Sequence, residues 1–197
     1  MFTRITSLLI IGFISSPWVN TWAESATSNT NSQTNSQTNS QVIYLVRHGE
    51  KELGPNAGKD PQLAKAGKAR AEQLARILKG VEIDAVYSTD FTRTRETARP
   101  LAEQRGLPVQ SYDYRKLKEF AVDLDQAGDR ILVVGHSNTT PEMVALLGGE
   151  QGAPIRESNE YDRLYIVIRD RGQVTTLLQR YGKDSRQHHV AELSQTQ

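Results

Sequence analysis

At 197 residues the chain is the size of one ordinary domain, because single cores grow through about 100 to 200 residues before they split. Its 24 Lys and Arg against 23 Asp and Glu leave a formal charge of +1, which argues against the net basic face that a general nucleic-acid binder needs. No cysteine is present, so disulfides, iron–sulfur clusters, thiolate zinc sites and cysteine nucleophiles are excluded, while the compartment stays open.

The chain begins with Arg4 in a positive start, an apolar run over Ile5–Ile14, and small residues at Thr21 and Ala23. These are the parts of a secretory signal peptide over residues 1–23, with cleavage expected after Ala23 and a periplasmic or secreted product. The run is short for a bilayer, so no stable membrane insertion is expected after cleavage, an uncleaved anchor being the alternative. Residues 24–41 are almost pure Ser, Thr, Asn and Gln and bury nothing at a gain, which predicts a disordered spacer. A polar tail is expected over 183–197.

The folded part is therefore placed at 42–182. Val42–Val46 is a continuous apolar run, as in a buried parallel strand. Ala66, Ala69, Leu74, Ala75 and Leu78 recur at helical spacing within Leu63–Leu78, and Gly80 stops that helix. Asp84–Ser88 reads as a strand, Arg93–Arg105 as a helix ended by Gly106, and Leu107–Tyr112 as an edge strand. Ile131–Gly135 is the clearest strand; Thr140, Pro141 and Glu142 open a helix to Leu147, with Pro where its missing N–H costs nothing. Strands over Leu164–Ile168 and Val174–Leu178 close the pattern. Alternation of this kind predicts a single three-layer α/β domain with a mostly parallel sheet flanked by helices.

Ligands in such sheets bind beyond the carboxyl ends of the strands. Arg47-His48-Gly49-Glu50 follows the first strand and Gly135-His136-Ser137-Asn138 follows the Ile131 strand; the other histidines, His188 and His189, lie in the tail. Between them, a strand end at Tyr87-Ser88 runs into a helix with Arg93 and Arg95 at its start. A cation beside the positive end of a helix dipole calls for an anion. Arg95 reads as a solvated partner of Glu96 or Asp90.

Tyr-Leu-Val-Arg-His-Gly-Glu at 44–50, Tyr-Ser followed by Arg-Thr-x-x-Thr-Ala within 87–98, and Val-Val-Gly-His at 133–136 together resemble the histidine phosphatase superfamily, which has the phosphoglycerate-mutase-like fold. The resemblance covers about Val42–Gly182 and implies its short phosphatase branch. It implies that His48 is the phosphorylated nucleophile, that Arg47 and Arg93 bind the phosphoryl group, and that His136 completes the pocket. Asn138 and Glu50 would add substrate contacts, with Ser137 either a further donor or a loop cap. Such a mechanism needs a neutral imidazole with a free lone pair, which neighbouring cations favour, and arginine forks that donate paired bonds to phosphoryl oxygens. It calls for no cofactor and no metal, and two histidines without a carboxylate triad make a poor zinc site. The leaving alkoxide still needs a proton, for which Glu119 in a Leu-x-Glu context, Glu50 and Asp60 are the candidates. Arg115–Asp125 reads equally as a helix with a solvated Glu119. The implied activity is an exported phosphoric monoester hydrolase of histidine acid phosphatase type, acting on a small-molecule or otherwise phosphorylated substrate. A non-catalytic phospho-ligand receptor and a mutase-type phosphotransferase are the alternatives. Substrate identity and oligomeric state are not encoded in any motif.

Overall fold

The computed structural model describes residues 40–55 and 57–184, so the expected signal peptide, residues 24–39 of the spacer, and residues 185–197 of the tail lie outside the described residues. In chain order the elements are β1 (Gln41–Arg47), α1 (Lys65–Ile77), β2 (Ala85–Ser88), α2 (Thr92–Arg105), β3 (Val109–Ser111), α3 (Leu117–Asp123), β4 (Arg130–Gly135), α4 (Thr139–Leu146), β5 (Arg163–Asp170) and β6 (Gln173–Arg180). They build a six-stranded sheet of order β3-β2-β4-β1-β5-β6. β3, β2, β4 and β1 are parallel to one another, and β5 runs antiparallel to both β1 and β6.

Alternation along the strands divides the core in two. Ile43, Leu45, Ile131, Val133, Tyr165 and Val167 point to a layer with α3 and α4, where Phe120, Leu124, Met143 and Val144 meet them. Val46, Val86, Leu132, Val134 and Leu164 point the other way, onto Leu74 and Ala75 of α1 and Ala98, Leu101 and Ala102 of α2. The chain is therefore the three-layer α/β domain that its pattern predicts, because strands apolar at every position must be covered on both faces.

Local chemistry moves several boundaries. Gln41, assigned above to the spacer, is the first residue of β1; it is buried, and its amide donates to the carbonyls of Leu124 and Gly128 at 2.7 and 2.9 Å. Leu63 stays outside α1 because its N–H goes to the Glu96 carboxylate at 2.6 Å while it bridges Lys51. β3 is shorter than expected, since Pro108 has no N–H to pair. The helix near Pro141 begins at Thr139, so Thr140 is not its cap: the Thr140 hydroxyl instead donates to the Val46 carbonyl at 3.3 Å. Pro141 still falls in the first turn, where no intrahelical bond is lost.

Candidate active site

Register places the site. Arg47 lies opposite Gly135 in the β1–β4 ladder and Ser88 opposite Val134 in the β2–β4 ladder, so three parallel strands end at one level. The next residues, His48, Thr89 and His136, begin three adjacent loops. His48 donates its N–H to the Gly135 carbonyl at 3.0 Å, and the two imidazoles meet edge to face with centroids 5.5 Å apart. Close approach then dictates glycines around them. A Cβ on Gly49 would meet the Gly67 backbone at 2.9 Å, and one on Gly135 would meet the Thr139 and Tyr112 hydroxyls at 2.9 Å.

His48 is almost fully buried, and its Nδ1 lies 2.7 Å from the Gly49 carbonyl. A carbonyl only accepts, so Nδ1 carries the proton and Nε2 keeps the lone pair. Burial foremost, with the charges of Arg47, Arg93 and His136, outweighs the Gly49 bond and holds the ring at about 3, so it is neutral near pH 7. His136 is lowered to about 4 by burial and then by Arg93, Arg47 and Lys51. Its Nε2 meets the Thr89 hydroxyl at 3.0 Å, which meets the Thr94 hydroxyl at 3.0 Å; Thr94 in turn donates to backbone carbonyls. With Thr94 donating downward, the chain of bonds runs consistently when His136 donates through Nε2. Phe91 and Tyr114 wall this ring at 5.1 and 6.0 Å between centroids.

Two guanidinium groups complete the cluster. Arg47 is 2% exposed, lies 4.0 Å over the Tyr161 ring, and gives Nη1 and Nη2 to the carbonyls of Arg156, Glu157 and Glu160 at 2.8–3.2 Å. Arg93 stands in the first turn of α2, which holds no acid of its own. Asp60 supplies the anion that the helix start calls for: it accepts the Thr92 N–H and hydroxyl, at 3.0 and 2.7 Å to one oxygen, and approaches Arg93 Nη1 at 3.4 Å. Burial lowers the pKa of both arginines, opposed for Arg47 first by Tyr161 and for Arg93 first by Asp60. The Nε atoms of Arg47 and Arg93 are both buried without a hydrogen-bond partner. Thr97 ties the parts together, accepting the Gly49 N–H at 2.9 Å and donating to the Arg93 carbonyl at 2.8 Å.

Of the residues expected at the site, His48, Arg47, Arg93 and His136 thus come together, and Asp60 joins them through Arg93. Glu50 does not stand free: its carboxylate takes Nε and Nη2 of the buried Arg70 at 2.8–3.2 Å, an ion pair that pins α1 to the first loop. Glu119 sits on the exposed side of α3, with no described hydrogen bond or ion pair to either histidine or arginine. Asn138 precedes the first turn of α4, exposed and with no capping bond from its side chain. Arg95 pairs with Asp90 at the surface, as its reading as a solvated arginine expects. Sequence reasoning missed Glu157 and Tyr161, which stand far along the chain in a loop without a motif. Among the described residues, no group of three or more His, Cys, Asp or Glu could hold a metal ion, and no helix is long and apolar enough to cross a membrane.

The family model of the histidine phosphatase superfamily (branch 1) matches residues 43–124, which include Arg47, His48 and Arg93. Over this segment the chain is similar to that superfamily. Phosphoserine phosphatase 1 of Hydrogenobacter thermophilus is 39% identical over 72 residues, 34% of each chain. Adenosylcobalamin/alpha-ribazole phosphatase of Escherichia coli is 36% identical over 72 residues, 34% of this chain and 36% of its own. The chain spans about a third of the length of these curated relatives. The solved structure of the protein histidine phosphatase SixA complexed with tungstate overlays 71% of this chain and 97% of its own with a TM-score of 0.57 at 20% identity. That likeness is one of fold, and it covers more of the chain than the segment the family model matches.

Proposed function

We propose that the chain is a phosphatase that hydrolyses phosphomonoesters through a phosphohistidine on His48. One observation carries the reading: two buried guanidinium Nε donors, of Arg47 and Arg93, lack partners beside a histidine held neutral with its Nε2 lone pair free. A buried donor without a partner costs about 1–3 kcal/mol, and a phosphoryl group offers charged oxygens to both. The names of the curated relatives, both phosphatases, support the same activity.

In the first step the His48 Nε2 lone pair forms an N–P bond while the P–O bond to the leaving alcohol breaks, and the departing alkoxide takes a proton from a carboxyl group. In the second, water attacks phosphorus, the carboxylate takes the water's proton, and the N–P bond breaks to restore neutral His48 and release phosphate. Arg47 and Arg93 face the charge that spreads over the phosphoryl oxygens, and His136 adds a donor when its Nε2–H turns from Thr89 to a phosphoryl oxygen. The carboxylates acting on the two arginines are Asp60, near Arg93, Glu157, whose charge reaches both, and Glu50, which acts on Arg47 but is bonded to Arg70, so Asp60 and Glu157 are the donors favoured here. His48→Ala should abolish turnover and any acid-labile phosphate label on the protein, and turnover retained in that variant would remove the mechanism.

Export is part of the same proposal, and it rests on the leader sequence alone: Arg4, the apolar run over Ile5–Ile14, and Ala23. Protein recovered outside the cytoplasm should begin at Glu24. A mature chain that still begins at Met1 would overturn it.

A further inference from the structure

Beside the histidine pocket, between α1 and the loop that grips Arg47, runs a groove of about 1100 Å³. Its volume matches or exceeds the roughly 300–1,000 Å³ of sites that hold small organic ligands. It shares two walls with the catalytic cluster. Tyr161 lines it while its ring lies 6.1 Å from the His48 ring, and Glu50, two residues after His48, lines it too. Ala66 and Ala69, three apart on the exposed face of α1, leave its floor open where longer side chains would fill it.

The walls are cationic. Lys51, Arg76, Arg156 and Lys183 line the groove, against the acids Glu50 and Asp184, and both Glu50 oxygens are already bonded to Arg70. Lys51 also stands near enough to the catalytic pair for its charge to bear on His136, so the positive wall is continuous with the site. A concave surface of one sign focuses its field on whatever lies inside. Neither Arg47 nor Arg93 lines the groove, so its charge is not needed to hold the phosphoryl group itself.

We propose that this groove is the leaving-group subsite and that the preferred substrates are phosphomonoesters whose alcohol carries a second anionic group, a carboxylate or a further phosphate. The inference rests on the phosphatase reading, with the phosphoryl group on His48 and the alcohol extending past Tyr161. The cations that receive the second anion are Arg156 and Lys183, both exposed, so the attraction is screened by salt and amounts to about tenfold in affinity rather than more.

The test compares glucitol 6-phosphate with 6-phosphogluconate, which differ only in a terminal hydroxymethyl or carboxylate group, using the purified full chain at low ionic strength. The ratio of kcat/KM values for the acid over the neutral ester should be about ten, and the ratio of dissociation constants by calorimetry should favour the acid equally. In the Arg156→Ala, Lys183→Ala double variant both ratios should fall to about one, and in Arg156→Glu the acid should become the poorer ligand. Equal efficiency on both esters, or ratios unchanged in the variants, would overturn the subsite while the phosphatase reading stands. Tenfold tighter binding of the acid without turnover of either ester would overturn the phosphatase reading and leave the anion subsite in place.

Discussion

Glu160 is a stern test of how the phosphate site is held. It is 3% exposed, and its carboxylate accepts from Arg163 Nε and Nη2 at 2.7 and 3.0 Å, Arg180 Nη1 at 2.8 Å and the Arg156 N–H at 3.0 Å. Its own carbonyl, with those of Arg156 and Glu157, holds the Arg47 guanidinium. Burial alone would raise the Glu160 carboxyl, but the bonds from Arg163, Arg156 and Arg180 overrule it and hold the group at about 2, against an ordinary 4.5. The folded pKa lies below the unfolded one, so this stabilisation is complete above pH 4.5 and is lost as pH falls toward 2. The lowering corresponds to about 3 kcal/mol. Glu160→Gln keeps the shape but turns an amide N–H toward guanidinium donors, so urea denaturation at pH 7 should show a loss of about 3 kcal/mol. The gap to wild type should narrow below pH 4.5. Phosphate affinity should fall about tenfold, because the loop carbonyls that aim Arg47 lose their anchor. A stability change within about 0.5 kcal/mol at pH 7, the range of ordinary surface substitutions, would refute the reasoning. So would a gap that stays constant from pH 7 to pH 3.

Arg93→Ala should weaken vanadate or phosphate binding by about 1.5–3 kcal/mol per charged bond lost, measured by titration calorimetry, whereas Arg95→Ala, paired with Asp90 at the surface, should change little. In anion-free buffer the imidazoles of His48 and His136 should titrate by NMR near 3 and 4, while the unfolded chain binds those protons at about 6.5. The folded state then holds fewer protons, so stability falls as pH drops from 6.5 toward 4, by about 1.4 kcal/mol per pH unit for each histidine, and His48→Ala should halve that part of the slope. For the proton donor, Glu157→Gln or Asp60→Asn should slow alkyl phosphates about 10²- to 10⁴-fold while sparing aryl phosphates, whose phenolate leaves unaided, and Glu119→Gln should leave both near wild type.

The sheet, its parallel core and the two histidine loops were legible in the sequence because each rests on a local signal: apolar runs at Val42–Val46 and Ile131–Val134, and a glycine beside each histidine where another backbone or hydroxyl comes within 3 Å. The helix-start signal pointed to Arg93 and Arg95 together, and it was the resemblance of the second motif that singled out Arg93. What stayed dark depends on contacts across long stretches of chain. Glu50 follows His48 directly and looked like a substrate ligand, yet Arg70 claims it from twenty residues away. Glu157 and Tyr161 carry no spacing signal, and they reach Arg47 only because β5 pairs beside β1 and brings the preceding loop over the strand end. Gln41 belonged by composition to the polar spacer, and only its two carbonyl acceptors draw it into β1.

The arrangement of charge around His48 follows from these same long-range contacts. Arg47 spends three of its bonds on backbone carbonyls, which fix its plane without neutralising it, and Arg93 meets its nearest carboxylate only at 3.4 Å. Had an acid been paired closely with each, as Glu50 is with Arg70, the guanidiniums would be satisfied and a phosphoryl group would have to displace a partner. Instead Arg47 is held by backbone dipoles and Arg93 only by a long contact to Asp60, and their charges add to burial in keeping both imidazoles unprotonated, so the nucleophile's lone pair stays available. The ion pairs that do close, Glu50 with Arg70 and Glu160 with Arg163 and Arg180, stand further from the histidines, where they lock the loop after β1 and the loop whose carbonyls hold Arg47. Satisfying charge in the supporting loops and withholding it at the pocket is what a dianion-binding site requires, and it makes phosphate binding and domain stability rise together.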